Sequence, residues 1–336
     1  IGVDVKPIDY YPPEQRRTFQ GYRREDGRVG TRNYVAVVSG VNCSASVSQF
    51  VKDKFRDVQR EFPNVDGVLA ITHKSGCGTK LFGEDHLALQ RVLAGYAKHP
   101  NFAAVLIIGL GCEANQLNRL CEAEGIPVGN RIHTYTIQET GGTNATVRAG
   151  VERIKQLLPE ANKVKRQTLP AKHLTLGLQC GGSDGFSGIT ANPGLGVASD
   201  LLVQNGGTAI LSETPEIYGA EHMLLRRAIS KEVGDKLLDL LKWWEAYTAK
   251  HGETMDSNPA PGNKAGGLTT ILEKSLGAAA KGGSSDMVDV YRYAEPVTKR
   301  GFVFMDTPGY DPVSVTGQVA GGANIVCFTT GRGSCF

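Results

Sequence analysis

Apolar segments with two different periodicities alternate along the chain from Thr31 onward. Short β-rich runs such as Tyr34–Ser39 are followed by stretches whose apolar side chains recur at helical spacing, as in Glu84–Lys98. Strands that are separated by helices long enough to cross over pair in parallel. The alternation therefore predicts an α/β fold with mainly parallel sheets.

The chain of 336 residues is longer than the roughly 250 to 300 residues at which one hydrophobic core stops growing, so two domains are expected. A polar stretch with two prolines, Pro159–Lys172, is typical of a linker between them. We predict two Rossmann-like, three-layer α/β domains at residues 21–168 and 169–336, after an extended lead-in at residues 1–20. The glycine-rich end of the sequence predicts that the second domain is truncated.

Strands in the first half are predicted at Tyr34–Ser39, Gly67–Thr72, Ala104–Gly109 and Arg131–Ile137. Strands in the second half are predicted at Leu174–Gln179, Thr208–Ser212, Gly301–Met305 and Asn324–Thr329. Helices are predicted between them, at Gln116–Glu124, Gly194–Gln204, Lys231–Ala246 and Pro312–Val319 among others.

Charge and hydropathy exclude several classes of partner. The 37 basic and 34 acidic side chains give a net charge of only +3, which does not indicate a nucleic-acid surface. No apolar run approaches the roughly 20 residues of a membrane helix, and no secretory signal is visible. We expect a cytoplasmic protein whose seven cysteines are free thiols or metal ligands rather than disulfides.

Three cysteines occupy matching positions, each shortly after one of the first three predicted strands. They are Cys43, Cys77 and Cys112. Because the carboxyl ends of parallel strands meet at one edge of a sheet, the three thiols are expected to emerge together. Thiolates bind iron, zinc and iron–sulfur clusters, whereas isolated free cysteines are usually small buried apolar residues. The sequence leaves both interpretations open.

His73 precedes Cys77 by four residues on the same predicted turn. An imidazole at this position would serve as a ligand or as a general base near neutral pH, and a purely structural histidine is the alternative. Cys121 in a predicted helix and Cys327 in a predicted strand are interpreted as structural.

The densest polar cluster is the segment 180–193, which follows a predicted strand and opens a helix. Backbone N–H groups at such turns and at helix N-termini bind anions. The segment lacks the Gly-Lys-Ser/Thr ending of a nucleotide-binding loop. The side chains that we predict to bind a ligand are Ser183, Asp184, Ser187 and Asn192.

Two further glycine-rich loops carry cations. The loop 261–267 contains Asn263 and Lys264, and the loop 329–333 contains Arg332. Lys264 is a candidate base or carboxylate partner, and Arg332 would bind a carboxylate through two hydrogen bonds. Arg32 and its neighbour Asn33 are further candidates for substrate binding. For each cation, a solvated surface position is the alternative.

Taken together, these motifs resemble the altronate and galactarate dehydratase family over nearly the whole chain. The segments that carry the resemblance are Asp26–Asn33, Thr72-His73 with Gly76–Gly78, Gly109–Glu113, Gly181–Gly188 with Ala191–Pro193, Pro261–Lys264 with Gly266-Gly267, and Thr329–Gly333.

The resemblance implies a hydro-lyase that removes water from a hexonate or hexarate and leaves a 2-keto-3-deoxy acid. It also implies iron, as Fe²⁺ or as an iron–sulfur cluster, with Mn²⁺ as a substitute, and a homodimer. Members of the family often begin with a small all-β domain, called a SAF domain. We expect this chain to be the catalytic core without that domain, or to use it as a separate subunit.

For such a reaction the sequence offers a candidate for each role. The three cysteines at the strand ends would hold the metal with one open coordination position. Arg332 or Lys264 would hold the substrate carboxylate, and His73, in preference to Asp184, would move the proton. The alternative is a sulfo-lyase-like or non-catalytic sugar-acid-binding protein. An NAD-dependent oxidoreductase is disfavoured because no Gly-x-Gly-x-x-Gly turn is present.

Overall fold

The computed structural model describes residues 1–334, so the last two residues of the predicted second domain lie outside it. The chain divides into two compact units. Phe19–Leu169 is called the first domain below. Ile1–Thr18 together with the chain from Pro170 onward is called the second domain.

The strands associated with the first domain are β1 (Thr18–Arg23), β2 (Val29–Gly30), β3 (Tyr34–Ser39), β4 (Gly67–Ile71), β5 (Phe102–Gly109), β6 (Ile132–Thr136) and β7 (Gln167–Pro170). Its helices are α1 (Ala45–Lys52), α2 (Val58–Glu61), α3 (Glu84–Lys98), α4 (Leu117–Ala123), α5 (Ile137–Thr140) and α6 (Thr143–Lys163).

A parallel sheet with the strand order β4-β3-β5-β6 forms the middle layer of the first domain. Alternate side chains of β3 point to opposite faces, as a strand requires. Val35 and Val37 pack with α1 and α6, whereas Ala36 and Val38 pack with α3 and α4. This arrangement confirms the predicted α/β fold with helices on both faces of a parallel sheet.

Part of the predicted linker is regular structure, which corrects the sequence prediction for Pro159–Lys172. Helix α6 continues through Pro159 to Lys163. Its apolar face extends beyond the proline, because Ala161 is buried in the same core as the residues before it. Strand β7 then joins a small sheet of order β2-β1-β7, which the sequence pattern did not indicate.

The strands of the second domain are β8 (Thr175–Gly181), β9 (Thr208–Leu211), β10 (Met287–Tyr291), β11 (Gly301–Met305) and β12 (Ile325–Thr330). Its helices are α7 (Ala191–Gln204), α8 (His222–Leu225), α9 (Lys231–Lys250), α10 (Pro261–Ala265), α11 (Ile271–Ala280) and α12 (Asp311–Ala320). Strand β10 was missed at the sequence level.

The strands of the second domain form one parallel sheet with the order β10-β11-β9-β8-β12. From β8 the chain runs through α7 to β9, whereas it reaches β12, on the other side of β8, from β11 through α12. The direction of winding therefore changes between β8 and β12. Ligands of open α/β sheets bind at the carboxyl ends of the strands at such a switch point.

None of the helices within residues 1–334 has the length and apolar character that a membrane span requires.

Candidate functional site

The three cysteines lie in loops at the carboxyl edge of the first domain's sheet. Cys43 follows β3 in a short 3-10 turn, Cys77 lies in the loop after β4, and Cys112 lies in the loop after β5. All three side chains are exposed. The sheet is parallel, so the geometry brings these loops to one edge, as the sequence indicated.

Backbone hydrogen bonds join the three cysteine loops. The Asn42 N–H donates to the Ser75 carbonyl at 2.9 Å, which ties the first loop to the second. The Ala114 N–H donates to the Cys77 carbonyl at 2.9 Å, which ties the third loop to the second. Backbone hydrogen bonds therefore link the three cysteine-bearing loops to one another, so the loops do not move independently.

Asn115 lies at the centre of this connection and is completely buried. Its backbone N–H donates to the Gly76 carbonyl at 3.1 Å, and its side-chain Nδ2 donates to the Gly40 carbonyl at 3.0 Å. Its Oδ1 accepts from Gln90 Nε2 at 3.3 Å. Asn115, in the loop that carries Cys112, is thus hydrogen-bonded to Gly76, just before Cys77, and to Gly40, at the end of the strand that leads to Cys43.

The electrostatics of the thiols agree with this convergence. Partial desolvation, and then the neighbouring Cys77 and Cys112 thiols, raise the pKa of Cys43. Among the described residues, however, the three thiols do not form a group whose sulfur atoms all lie within 4.8 Å of one another.

His73 lies beside the cysteine loops, but backbone groups engage both of its ring nitrogens. Nδ1 accepts from the Ser75 N–H at 3.1 Å, so Nε2 carries the proton and donates to the Ser39 carbonyl at 3.0 Å. Burial lowers the pKa of His73. His73 thus ties the Cys77 loop to the end of β3, and its role as a base stays a prediction.

Arg32 and Asn33 differ sharply in exposure. Arg32 is exposed. Asn33 is completely buried, its Nδ2 donates to the Asn64 and Ala161 carbonyls, and its Oδ1 accepts from the Arg24 guanidinium at 2.7 Å. The Asn33 amide is therefore occupied in holding the fold, and substrate binding by it would require this network to open.

In the second domain, the three glycine-rich loops predicted from the sequence converge at the switch point. The Arg332 N–H donates to the Gly182 carbonyl at 3.2 Å, and the Gly185 N–H donates to the Gly266 carbonyl at 2.9 Å. Gly182 has a φ of +59°, and a Cβ added to it would lie 2.5 Å from the Gly333 carbonyl oxygen. Only glycine fits so close an approach.

Side chains of the predicted ligand-binding set shape the first of these loops. Asp184 Oδ1 accepts from the Phe186 N–H at 3.1 Å and from the Ser187 N–H at 2.8 Å. Ser187 Oγ accepts from the Asp184 N–H at 3.1 Å. Asp184, Ser187 and Ser183 are all buried, so these contacts form the floor of the loop.

The remaining candidates in the second domain lie at the other loops. Asn263 Nδ2 donates to the Ser183 carbonyl at 2.9 Å, and the Arg332 guanidinium donates to the Gly262 carbonyl. Asn192 is buried and accepts from Thr329 Oγ1 at 2.6 Å. Lys264 is exposed on α10. Of this set, Arg332 and Lys264 are the exposed cations able to meet an anion.

A second cluster, not found by sequence reasoning, lies at the same edge of the second domain's sheet. Lys281 Nζ is 3.0 Å from Cys180 Sγ and 3.4 Å from Glu213 Oε2, and all three residues are buried. Ligand atoms of Cys180, Glu213 and Glu216 lie within 4.8 Å of one another. A signal was present: Glu213 follows β9 just as the three cysteines follow their strands.

The fold and these loops define an α/β protein with a thiol cluster in one domain and three converging glycine-rich loops in the other. Residues 21–162 match the family model described as D-galactarate dehydratase/altronate hydrolase, second domain. Residues 171–336 match the model described as D-galactarate/altronate dehydratase, C-terminal.

The chain is 40% identical over 99% of its length to the altronate dehydratase of Bacillus subtilis (strain 168) and covers 67% of that protein. It is 41% identical over 99% of its length to the galactarate dehydratase (L-threo-forming) of Escherichia coli (strain K12) and covers 65% of it. It is also 33% identical over 95% of its length to the (2R)-sulfolactate sulfo-lyase subunit beta of Chromohalobacter salexigens and covers 78% of that subunit.

This chain belongs to the galactarate and altronate dehydratase family, as its motifs indicated. It spans about two thirds of the length of the dehydratases that it matches.

Proposed function

We propose that this chain is the catalytic part of a dehydratase that removes water from a sugar acid. The substrate would be a hexonate or hexarate such as altronate or galactarate, and the product a 2-keto-3-deoxy acid. The observation that carries this proposal is the set of three exposed thiols on loops hydrogen-bonded to one another, in a chain of this family.

The donor set supports iron as the cofactor of this reaction. Cys43, Cys77 and Cys112 would hold an iron–sulfur cluster or Fe²⁺, because thiolates are the ligands that such groups take. Asn115 and His73 would hold the loops that carry these ligands, through the hydrogen bonds described above. When bound, an iron group with an open position supplies the positive charge that helps a β-hydroxyl to leave.

The glycine-rich loops of the second domain would bind the acid itself. Lys264 is exposed on α10, a short helix within the predicted loop 261–267, and Arg332 is exposed on the neighbouring loop after β12. An arginine binds a carboxylate through two parallel hydrogen bonds. Asp184 would act by holding the turn that carries Gly182 and Gly185 against those loops. The backbone N–H groups of these glycine-rich turns would complete the binding of the anionic end.

The test is a product assay on the anaerobically purified, iron-containing protein. A panel of hexonates and hexarates is incubated with the protein, and 2-keto-3-deoxy acid is measured. Sulfolactate is included with a measurement of sulfite, because one relative is a sulfo-lyase subunit. We expect keto-deoxy acid from one or a few of the sugar acids. Sulfite release without keto-deoxy acid, or no product from an iron-loaded protein, would contradict the proposal.

A further inference from the structure

The buried cluster of the second domain brings four ionisable side chains together in the protein interior. Cys180 lies near the end of β8, Glu213 and Glu216 follow β9, and Lys281 follows α11. Lys281 is completely buried between Cys180 Sγ and Glu213 Oε2. The Lys281 ammonium lies between the acidic groups of Cys180 and Glu213, so its positive charge offsets negative charge on them.

Glu216 extends the cluster. Its Oε1 accepts from Lys274 Nζ at 2.7 Å and from Asn258 Nδ2 at 3.0 Å. Its Oε2 is buried and has no hydrogen-bond partner within the described part of the chain. Buried polar atoms normally have a partner, and such an exception calls for an explanation. Glu216 therefore adds to the cluster a carboxylate of which Lys274 and Asn258 engage one oxygen.

Proton sharing inside the cluster follows from its charges. Burial, and then the nearby Glu216 carboxylate, raise the pKa of Glu213 to about 8. Burial also raises the pKa of Cys180, although Lys281 opposes this shift. Burial lowers the pKa of Lys281, but Cys180 and Glu213 raise it more, so the ammonium stays charged. Lys281 and the acidic groups around it therefore set one another's protonation.

A half-buried carboxylate connects this cluster to the glycine-rich loops. Gln179 Nε2 donates to Asp311 Oδ1 at 2.7 Å, and the Gln179 side chain also donates to Glu213. Asp311 begins α12, and a Cβ added to Gly181 would lie 2.6 Å from its Oδ2. Asp311 thus stands at the switch point, where the loops would bind the acid, and the buried groups lie behind it.

We propose that Asp311, backed by the buried Lys281, Cys180 and Glu213, is the acid–base site that moves the C2 proton of the sugar acid. This inference rests on the proposed function. The C2–H bond breaks and its proton goes to Asp311, while the electron pair forms a C2–C3 double bond and the C3–O bond breaks. The departing hydroxide takes a proton from Asp311 and leaves as water. The enol then loses its hydroxyl proton and takes one at C3, which gives the keto acid.

Asp311 is the catalytic residue of this site, and the groups behind it are positioning residues. Burial raises the pKa of Asp311, which brings a carboxylic acid nearer to the range where it exchanges protons effectively. The charged groups that face it from the neighbouring elements are Glu216, Lys281, Lys274 and Glu213. Two are cations and two are carboxyls, so changing one of them shifts the protonation of Asp311 without touching substrate.

The test uses the iron-containing full chain with the substrate that gives the most keto-deoxy acid. Asp311→Asn keeps the shape of the side chain and removes its basicity. We expect kcat to fall by about 10² to 10⁴-fold, with KM and iron content nearly unchanged. Asp311→Glu should recover part of the rate. The matched control is Asp235→Asn, a partly exposed aspartate of α9 paired with Lys231, which should leave kcat unchanged.

A second variant tests the positioning residues. Glu216→Gln removes the carboxylate that raises the pKa of Asp311, so the acidic limb of the kcat–pH profile should move to lower pH, which a merely structural role would not cause. An active wild type whose Asp311→Asn variant keeps kcat within threefold would overturn this inference alone. A wild type that dehydrates none of the sugar acids would overturn the proposed function as well.

Discussion

Asn115→Ala is the sharpest test of how the cysteine loops are held together. The substitution removes the hydrogen bond from Nδ2 to the Gly40 carbonyl and the one that Oδ1 accepts from Gln90. Because Asn115 is completely buried, its former partners are left without a bond in a dry environment. Each lost bond costs about 1 to 2 kcal/mol under these conditions, so the variant should be destabilised by about 2 to 4 kcal/mol.

The assay combines thermal unfolding with metal analysis. For a domain of this size the loss corresponds to a Tm lower by about 5 to 15 °C, and the iron content should fall because the thiols are no longer held together. Asn118→Ala is the control, since Asn118 is exposed on α4 and, within residues 1–334, its side chain accepts from the adjacent Arg119 N–H alone. An Asn115→Ala protein with the Tm and iron content of the wild type would refute the reasoning.

Three further predictions concern the buried groups. Asn33→Ala should lower the free energy of unfolding by about 3 to 5 kcal/mol, because three side-chain hydrogen bonds are lost, one of them with Arg24. A loss below about 1 kcal/mol, measured by urea unfolding, would contradict the structural role of Asn33. At about pH 9, above the pKa of Glu213, Lys281→Met should cost about 3 to 5 kcal/mol, since it leaves the buried Glu213 carboxylate without its cation. Unchanged urea unfolding at that pH would argue against the charged ammonium. The raised pKa of Glu213, about 8, means that the folded state binds more protons than the unfolded state between the two pKa values. The free energy of unfolding should therefore fall as pH rises from about 5 to 8, with a slope of at most about 1.4 kcal/mol per pH unit. Glu213→Gln should flatten this pH dependence. Identical slopes for the wild type and the variant would contradict the raised pKa of Glu213.

Elements with a strong and regular pattern could be predicted from the sequence. Helix α3 has the predicted bounds, Glu84–Lys98, because its apolar spacing and its acidic first turn agree. Strand β10 was missed because the charged Asp289 interrupts its apolar run. In the structure Asp289 is buried beside Lys236 and Lys299, so its charge is neutralised by residues distant in sequence.

The same contrast holds for the candidate sites. The three cysteine positions could be predicted together because each follows a parallel strand, and the rule needs only local information. In the Lys281 cluster, the place of Glu213 after β9 could have been noticed. Its pairing with Lys281 could not be predicted, since Lys281 is 101 positions from Cys180 and 68 from Glu213. No local pattern marks a lysine near a helix end as buried. The roles of His73 and Asn33 likewise depend on backbone carbonyls that only the fold brings close.

The most direct test of the proposed metal centre is the iron and acid-labile sulfide content of cysteine variants purified without oxygen. Cys43→Ser, Cys77→Ser and Cys112→Ser should each lose iron together with turnover, because each removes one of three thiolate ligands. Cys121→Ser, a partly buried thiol of α4 in the same domain, should keep both. Normal iron content in all three variants, with the wild type itself containing iron, would contradict the assignment of these cysteines as the metal centre.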